Sequence, residues 1–435
     1  MADTTFPPHG DDALLARLAT NGPMNLDRAR EVMERFGLDG IVVGDPLNVF
    51  HMTGYWPQIG STRVGHPPTT FAILSRHAGM KPAVVTSHFI YYYSFADGGS
   101  RGDIRSYLFE GAGDPGDEAR TSANPAFFAD RGIVPMTSVE VRRRAETDRS
   151  LAADNLFEQS GGALAGALRD LGLWQGALAY DHEVIRSVCE TRERPGTLVP
   201  ADNILRWIRL VKSPLEVELM KRGASANAAA VDAVVAAVRE GANYRELRRT
   251  FEVEAAKRGN RAVFMTIDRV SSPLPESDVV TRGQSLFLDG VSHFNNYHGD
   301  YARTIFVGEP TAEVRREADA ATRGWEAIRE QLRPGLAFSE ISRIGRDALG
   351  KAGAGSAVTF GPHSVGLMHT DEPAAEMGGF YGKQDLRLEE NMVLSVDCPS
   401  LATGIGGSVH IEDLVLITRD GAVPIHPIGD HVITI

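Results

Sequence analysis

The chain has 435 residues, with 45 Lys and Arg against 57 Asp and Glu, a formal charge of -12. An acidic chain without a basic stripe lacks the electrostatic footprint of a nucleic-acid binder. With 43% hydrophobic and 23% charged residues it has the balance of a soluble globular protein of two or three domains, which excludes disorder or a coiled coil as a description of the whole.

Cys189 and Cys398 are too few for a disulfide framework and too far apart for a zinc knuckle, so a reducing compartment is expected. The start, MADTTFPPHGDDALL, has no basic region followed by an apolar core, as a signal peptide would. No apolar run reaches the roughly 20 residues that cross a bilayer. A cytoplasmic protein with no membrane partner is the expectation.

Residues 1–24, with Pro7, Pro8 and Gly10, read as a loose arm. LDRAREVMERFG then places Leu26, Ala29, Val32, Met33 and Phe36 on one helical face, with Asn25 as N-cap and Gly37 past the end. Short apolar runs at Ile41–Val43, Phe71–Leu74 and Ala83–Thr86 read as buried strands. A helix is expected over 149–171, followed by a strand at Ala177–Tyr180. This alternation implies an α/β domain for residues 25–210.

Ser213-Pro214-Leu215-Glu216 is a capping box with proline at the first helical position, so a new domain, 211–435, is expected to open there. Helices are predicted at 213–240, 244–258, 311–332 and 338–351. Strands are predicted at Ser285–Gly290, Tyr301–Val307, Met392–Val396 and Ile411–Thr418. Helices grouped with hairpin-like strands suggest an α+β domain.

The chemistry is concentrated in this second half. In LFLDGVSHFNNYHGDYARTIFVG, Asp289 is expected to end one strand and Asp300 to open the next, a hairpin that brings both carboxylates to one face. Two such carboxylates repel unless a proton or cation lies between them. FGPHSVGLMHTDEP adds His363 among Gly361, Pro362 and Gly366, with His369, Asp371 and Glu372 close behind. NMVLSVDCPS puts Asp397 at the end of an apolar run. In GGSVHIEDLVLIT, His410, Glu412 and Leu414 share one face of an alternating strand. A glutamate there is costly unless its charge is paired or metal-bound, and for Glu412 alone the ordinary reading is an ion pair with a buried arginine. Taken together, Asp289, Asp300, His363, Asp397 and Glu412 supply four carboxylates and one imidazole, which two divalent ions would neutralise.

In these motifs the sequence resembles the pita-bread metallopeptidases: aminopeptidase P, prolidase and the non-metal enzyme creatinase. That family carries an aspartate in a D-x-G-like strand, a second eleven residues on, a histidine in an H-G-x-G-L-type segment, a glutamate in T-I-E-P-G and another in V-R-I-E-D. The counterparts are Asp289, Asp300, His363 in HSVGL, Asp397 in SVDCP and Glu412 in VHIED. DPLNVFHMTGY (45–55) resembles the creatinase-type N-terminal domain, and IRLVKSPLEVELMKRG the start of the catalytic one. The resemblance implies an α/β creatinase-like domain followed by an α+β pita-bread catalytic domain. It also implies a homodimer and a short-peptide or small-molecule substrate.

By position, Asp289 would chelate one ion, Asp300 and Glu412 would bridge two, and His363 and Asp397 would bind the other. The ions would be Mn, Zn, Fe or Co. The resemblance further implies hydrolysis of a peptide or related amide bond by a metal-bridged hydroxide, with Asp397 as general base and His369 as a catalytic histidine.

Four positions depart from the family. Asp397 stands for glutamate, His369 follows His363 by six residues instead of seven, His410 replaces an arginine, and SSPLPESD (271–278) offers no upstream histidine. The metal cage is mostly retained, while the groups that recognise a proline dipeptide are altered, with His410 and Asp371 left to contact substrate. One alternative is a lyase of the dimethylsulfoniopropionate type, with Asp371 as its base. The other is a non-catalytic binding relative. Tyr91–Tyr93 read as core and Cys398 as a small buried residue, while His293, His298 and Trp56 are weaker candidates for substrate contact.

Overall fold

The computed structural model describes residues 10–62, 66–98, 104–111, 130–151, 155–270, 278–353, 355–375 and 384–435. The chain forms two compact units, one ending at Ile208 and the other beginning at Arg209.

The first unit is built on a seven-stranded mixed sheet. Its strands are β1 (Gly40–Val43), β2 (Thr70–Ser75), β3 (Ala83–Ser87), β4 (Arg105–Gly111), β5 (Leu156–Gln159), β6 (Leu178–Tyr180) and β7 (Leu198–Pro200), in the order β5-β4-β3-β2-β1-β6-β7. The apolar runs at β1, β2 and β3 are buried along almost their whole length, as their lack of alternation requires. Val42, Ile73, Val85, Tyr107 and Phe157 pack with Leu164 and Leu168 of the helix Ser160–Asp170. Asp181 fixes the DPLN turn, accepting from the Gly44 amide at 2.7 Å and from Asn48 Nδ2 at 2.8 Å.

Two sequence expectations fail here. The helix predicted over 149–171 is broken: β5 lies within it, and the helix that follows begins at Ser160. Leu156 and Phe157 pair with Leu108 and Phe109, so sheet pairing overrides the helical pattern. The loose arm expected over 1–24 contains a helix, Asp12–Asn21, which buries Leu18. The Leu18 carbonyl lies so close to Gly54 that a Cβ at that glycine would come within 2.1 Å of it.

The second unit carries two four-stranded sheets. One runs β15-β10-β9-β8 and the other β11-β12-β13-β14. Their strands are β8 (Arg261–Ile267), β9 (Ser285–Phe294), β10 (Tyr297–Phe306), β11 (Gly361–Ser364), β12 (Val393–Asp397), β13 (Val415–Thr418), β14 (Gly421–Pro424) and β15 (Val432–Thr434). The helix Pro214–Val235 starts at the predicted capping box, with Ser213 Oγ accepting from the Glu216 amide and Glu216 returning to the Ser213 amide.

That helix covers one face of the β9–β10 hairpin. A Cβ on Gly290 would come within 2.6 Å of Val231, and one on Gly299 within 2.8 Å of the Ala224 backbone, so both glycines are required for the close approach. Asn227 Nδ2 donates to the Gly290 carbonyl at 2.7 Å. The opposite face of the hairpin is left for Asp289 and Asp300. These aspartates do not flank the turn, as expected from the sequence, but lie within the strands. The ladder continues to Phe294 and Tyr297, and the turn is only Asn295-Asn296. Both asparagines are left-handed (φ 45° and 66°), the conformation that a two-residue hairpin turn needs.

Candidate metal centre

Strand register places the donors. Asp289 pairs with Ala302 across the hairpin, and Ala302 forms an isolated bridge with Glu412 on its other side. Directly paired residues face the same way, so Asp289 and Glu412 flank the small Ala302. Asp300, two residues from Ala302, joins the same face as a diagonal neighbour. On the other sheet His363 pairs with Ser395 and Gly361 with Asp397, which makes His363 and Asp397 diagonal neighbours too.

The side chains converge. His363 Nε2 lies 3.3 Å from Glu412 Oε1, 3.6 Å from Asp397 Oδ2 and 3.7 Å from Asp300 Oδ2. His410 Nε2 is 3.4 Å from both Asp397 Oδ1 and Glu412 Oε2, and His369 Nε2 is 2.9 Å from Asp300 Oδ2. The Ser395 hydroxyl donates to Glu412 Oε1. Asp300 and Glu412 are 1% and 2% exposed, whereas the Asp397 side chain is 42% exposed.

The buried charges depend on one another. Burial, together with Asp300 and Glu412, pushes the Asp289 carboxyl well above the usual carboxylate range. Burial and Glu412 do the same to Asp300. Glu412 is held well below that range: burial opposes its charge, but the bonds to His363 and His410 prevail. Burial likewise opposes protonation of His363, yet Glu412 and Asp300 raise it to about 9. His410 is also raised, through Asp397 and Glu412 against the effect of burial.

This chemistry fits a cation centre. Asp289 Oδ1 and both Asp300 oxygens are buried and accept no hydrogen bond among the described residues. Buried carboxylate oxygens left in that state are costly unless a cation takes them up. Three overlapping donor sets emerge: Asp300–His363–His369, His363–Asp397–Glu412 and Asp289–His410–Glu412.

Two expectations about substrate contact change. Asp371 is fully buried and accepts from Arg209 Nε at 2.8 Å, while its amide donates to the Ser364 carbonyl at 2.9 Å. It therefore presents no surface to a substrate, and the base assigned to the lyase alternative is committed to an internal ion pair. Glu372 accepts from the Ser364 amide at 2.9 Å, so both acids of HTDEP hold β11 in place. His410, expected to contact substrate, is only 5% exposed and sits within the cluster.

The weaker candidates lie elsewhere. His293 and His298 pair across the hairpin with ring centroids 5.3 Å apart, and burial lowers both to about 4. Cys398 is buried, with its thiol on the Val396 carbonyl. Tyr91 is buried in the first unit, whereas Tyr93 is 54% exposed, and Trp56 packs edge-on against Phe50. Residues 271–277 of SSPLPESD lie outside the described residues. Sequence reasoning missed Ser395, Arg209 and the pair Arg303–Asp413. An arginine in the otherwise apolar YARTIF strand was the available signal for the last.

The family model for metallopeptidase family M24 matches residues 218–419, which include every donor of the cluster. The C-terminal unit belongs to metallopeptidase family M24. Among relatives of the M24 unit, the Xaa-Pro dipeptidase of Pyrococcus furiosus is 28% identical over 231 residues, covering 51% of this chain and 64% of that one. The Xaa-Pro dipeptidase of Pyrococcus horikoshii is 28% identical over 229 residues, with the same coverage. These matches span less than two thirds of the relatives' own length.

Solved structures cover more of the chain. A Pyrococcus horikoshii dipeptidase has a TM-score of 0.67 at 15% identity, covering 95% of this chain and 100% of that one. Dipeptidase PepE of Mycobacterium ulcerans has a TM-score of 0.61 at 19% identity and covers 98% of both chains. An aminopeptidase P variant of Escherichia coli has a TM-score of 0.60 at 16% identity, covering 92% and 94%. At these identities the likeness establishes the fold: a creatinase-like α/β domain followed by a pita-bread M24 domain. No helix among the described residues is long and apolar enough to cross a membrane.

Proposed function

We propose that this chain is a metal-dependent peptidase that cleaves a peptide or related amide bond in short Xaa-Pro-type substrates, with two divalent ions (Mn, Zn, Fe or Co) held by Asp289, Asp300, His363, Asp397 and Glu412. The observation that carries this reading is the gathering of those five side chains, from two sheets and the segment before β13, around carboxylate oxygens that accept no hydrogen bond among the described residues. Bound divalent ions supply Lewis acidity and generate a nucleophile from water near neutral pH. The protein contributes the rest. Asp300 is buried on β10 and Glu412 is bridged to Ala302 beside it, which fixes both before a substrate arrives. Asp397, with its side chain 42% exposed, is the carboxylate placed to accept a proton at the open side of the cluster. Ser395 and the Ala302 bridge hold Glu412 in line. The Xaa-Pro dipeptidases of Pyrococcus support the substrate class.

The test is metal analysis of the purified chain alongside a cleavage panel of Xaa-Pro dipeptides, Xaa-Pro-Xaa peptides and simple amides. Stoichiometric divalent ion and chelator-sensitive release of proline or a free amine are expected. Absence of ion at saturation, or cleavage that survives chelation, would overturn the reading.

A further inference from the structure

We propose that His369 and His410 are themselves ligands, so that the centre is a three-imidazole site selective for borderline ions such as Zn²⁺ and Co²⁺ over Mn²⁺. This rests on the reading of the cluster as a metal centre and extends its donor set from five residues to seven.

Spacing is the first argument. Donors held at about 2.0–2.2 Å from one ion stand about 3.0–3.5 Å apart. His410 Nε2 is 3.4 Å from Asp397 Oδ1 and 3.4 Å from Glu412 Oε2, and His369 Nε2 is 2.9 Å from Asp300 Oδ2. The second argument is distribution. Asp289 and Glu412 take His410 into one set, while Asp300 and His363 take His369 into another, so each end of the cluster gains an imidazole.

The third argument is support. Phe287 meets His410 edge-on at 5.3 Å, and Phe264 meets His369 edge-on at 5.4 Å. Phe287 lies two residues before Asp289 on the same strand face, and Phe264 lies on the neighbouring β8. An aromatic wall thus backs each ring whose Nε2 is presented to the carboxylates. Imidazole donors favour Zn, Co, Ni and Fe, whereas an all-carboxylate set favours Mn and Mg.

The experiment compares the full chain with His369→Gln and His410→Gln. Affinity is measured by competition with a chromophoric chelator for Zn²⁺, Co²⁺ and Mn²⁺. The imidazoles around Zn²⁺ are counted by X-ray absorption fine structure. Three imidazoles per chain are expected in the wild type and two in each variant. Zn²⁺ affinity should fall about tenfold or more in each variant, and Mn²⁺ affinity much less.

If the histidines merely balanced charge, their removal would leave Zn²⁺ affinity unchanged or tighter, and the wild type would show one imidazole. Either result overturns the inference. His410 is buried, so its variant is checked for native near-ultraviolet dichroism. His369 is about one third exposed, and its variant keeps the test decisive if the other fails to fold. A wild type that binds no divalent ion overturns the metal reading itself. Normal binding by both variants overturns only the histidine assignment.

Discussion

Glu412 and Asp413 are consecutive buried carboxylates with opposite fates. Asp413 accepts from Arg303 Nη2 at 2.7 Å, Trp325 Nε1 at 3.0 Å and His431 Nε2 at 2.9 Å. Arg303 Nη1 also donates to the Glu412 main-chain carbonyl at 3.0 Å. Burial opposes the Asp413 charge, but His431 and Arg303 hold its carboxyl far below the usual range. One residue away, Glu412 shares its space with Asp289, Asp300 and Asp397. Asp413 has an arginine to itself, whereas Glu412 shares His363 and His410 with neighbouring carboxyls, and Asp289 Oδ1 and both Asp300 oxygens accept no hydrogen bond among the described residues. A fully paired buried carboxylate serves the fold, and a crowded set with oxygens left over is a candidate ligand site.

The largest test of this contrast is Asp413→Ala, which strands a buried guanidinium. A loss of about 3–5 kcal/mol in urea unfolding is expected, and a loss below about 1 kcal/mol would contradict the structural role. Asp300→Asn should behave oppositely. Calorimetric titration should show ion affinity lowered about 100-fold or more, while the ion-free chain keeps or gains stability because no carboxyl has to be held protonated beside Glu412. Clear destabilisation of the ion-free variant would place Asp300 with Asp413.

The smallest effect per step is the pH response. His363 is raised from its ordinary 6.5 to about 9 in the ion-free chain. Its contribution to ion-free stability is therefore complete below about 6.5 and is lost as pH climbs through about 9. Ion binding must displace that proton, so apparent affinity should rise over the same window, roughly tenfold per unit for one proton. Affinity that is flat with pH would show that His363 is not protonated in the free centre.

The sequence made the candidate cluster more legible than its supports. Chelating side chains in apolar strands are conspicuous, and the eleven-residue offset from Asp289 to Asp300 fits a hairpin whose register could be checked directly. Partner choice was not legible. The ordinary reading of Glu412 was an ion pair with a buried arginine, and such an arginine exists, but its side chain bonds Asp413 on the other face of the same segment. Asp371 looked like part of the site because it follows His363 closely, yet its partner, Arg209, is 162 positions away in the chain. In the fold, β5 was hidden inside a helical pattern because only pairing with β4 makes it a strand. Likewise β8, with its half-exposed alternation, carried too weak an apolar signal to stand out.

Parallel pairing of Val432–Thr434 with Thr304–Phe306 brings a late segment beside an early one, and His431 arrives with it to reach Asp413. The centre is therefore a product of distant loop closures. A growing chain that has emerged only through Phe306 carries Asp289 and Asp300 but none of His363, Asp397 and Glu412. On the proposed metal reading, ion capture is expected to follow folding, because long-range contacts must first offset their closure entropy.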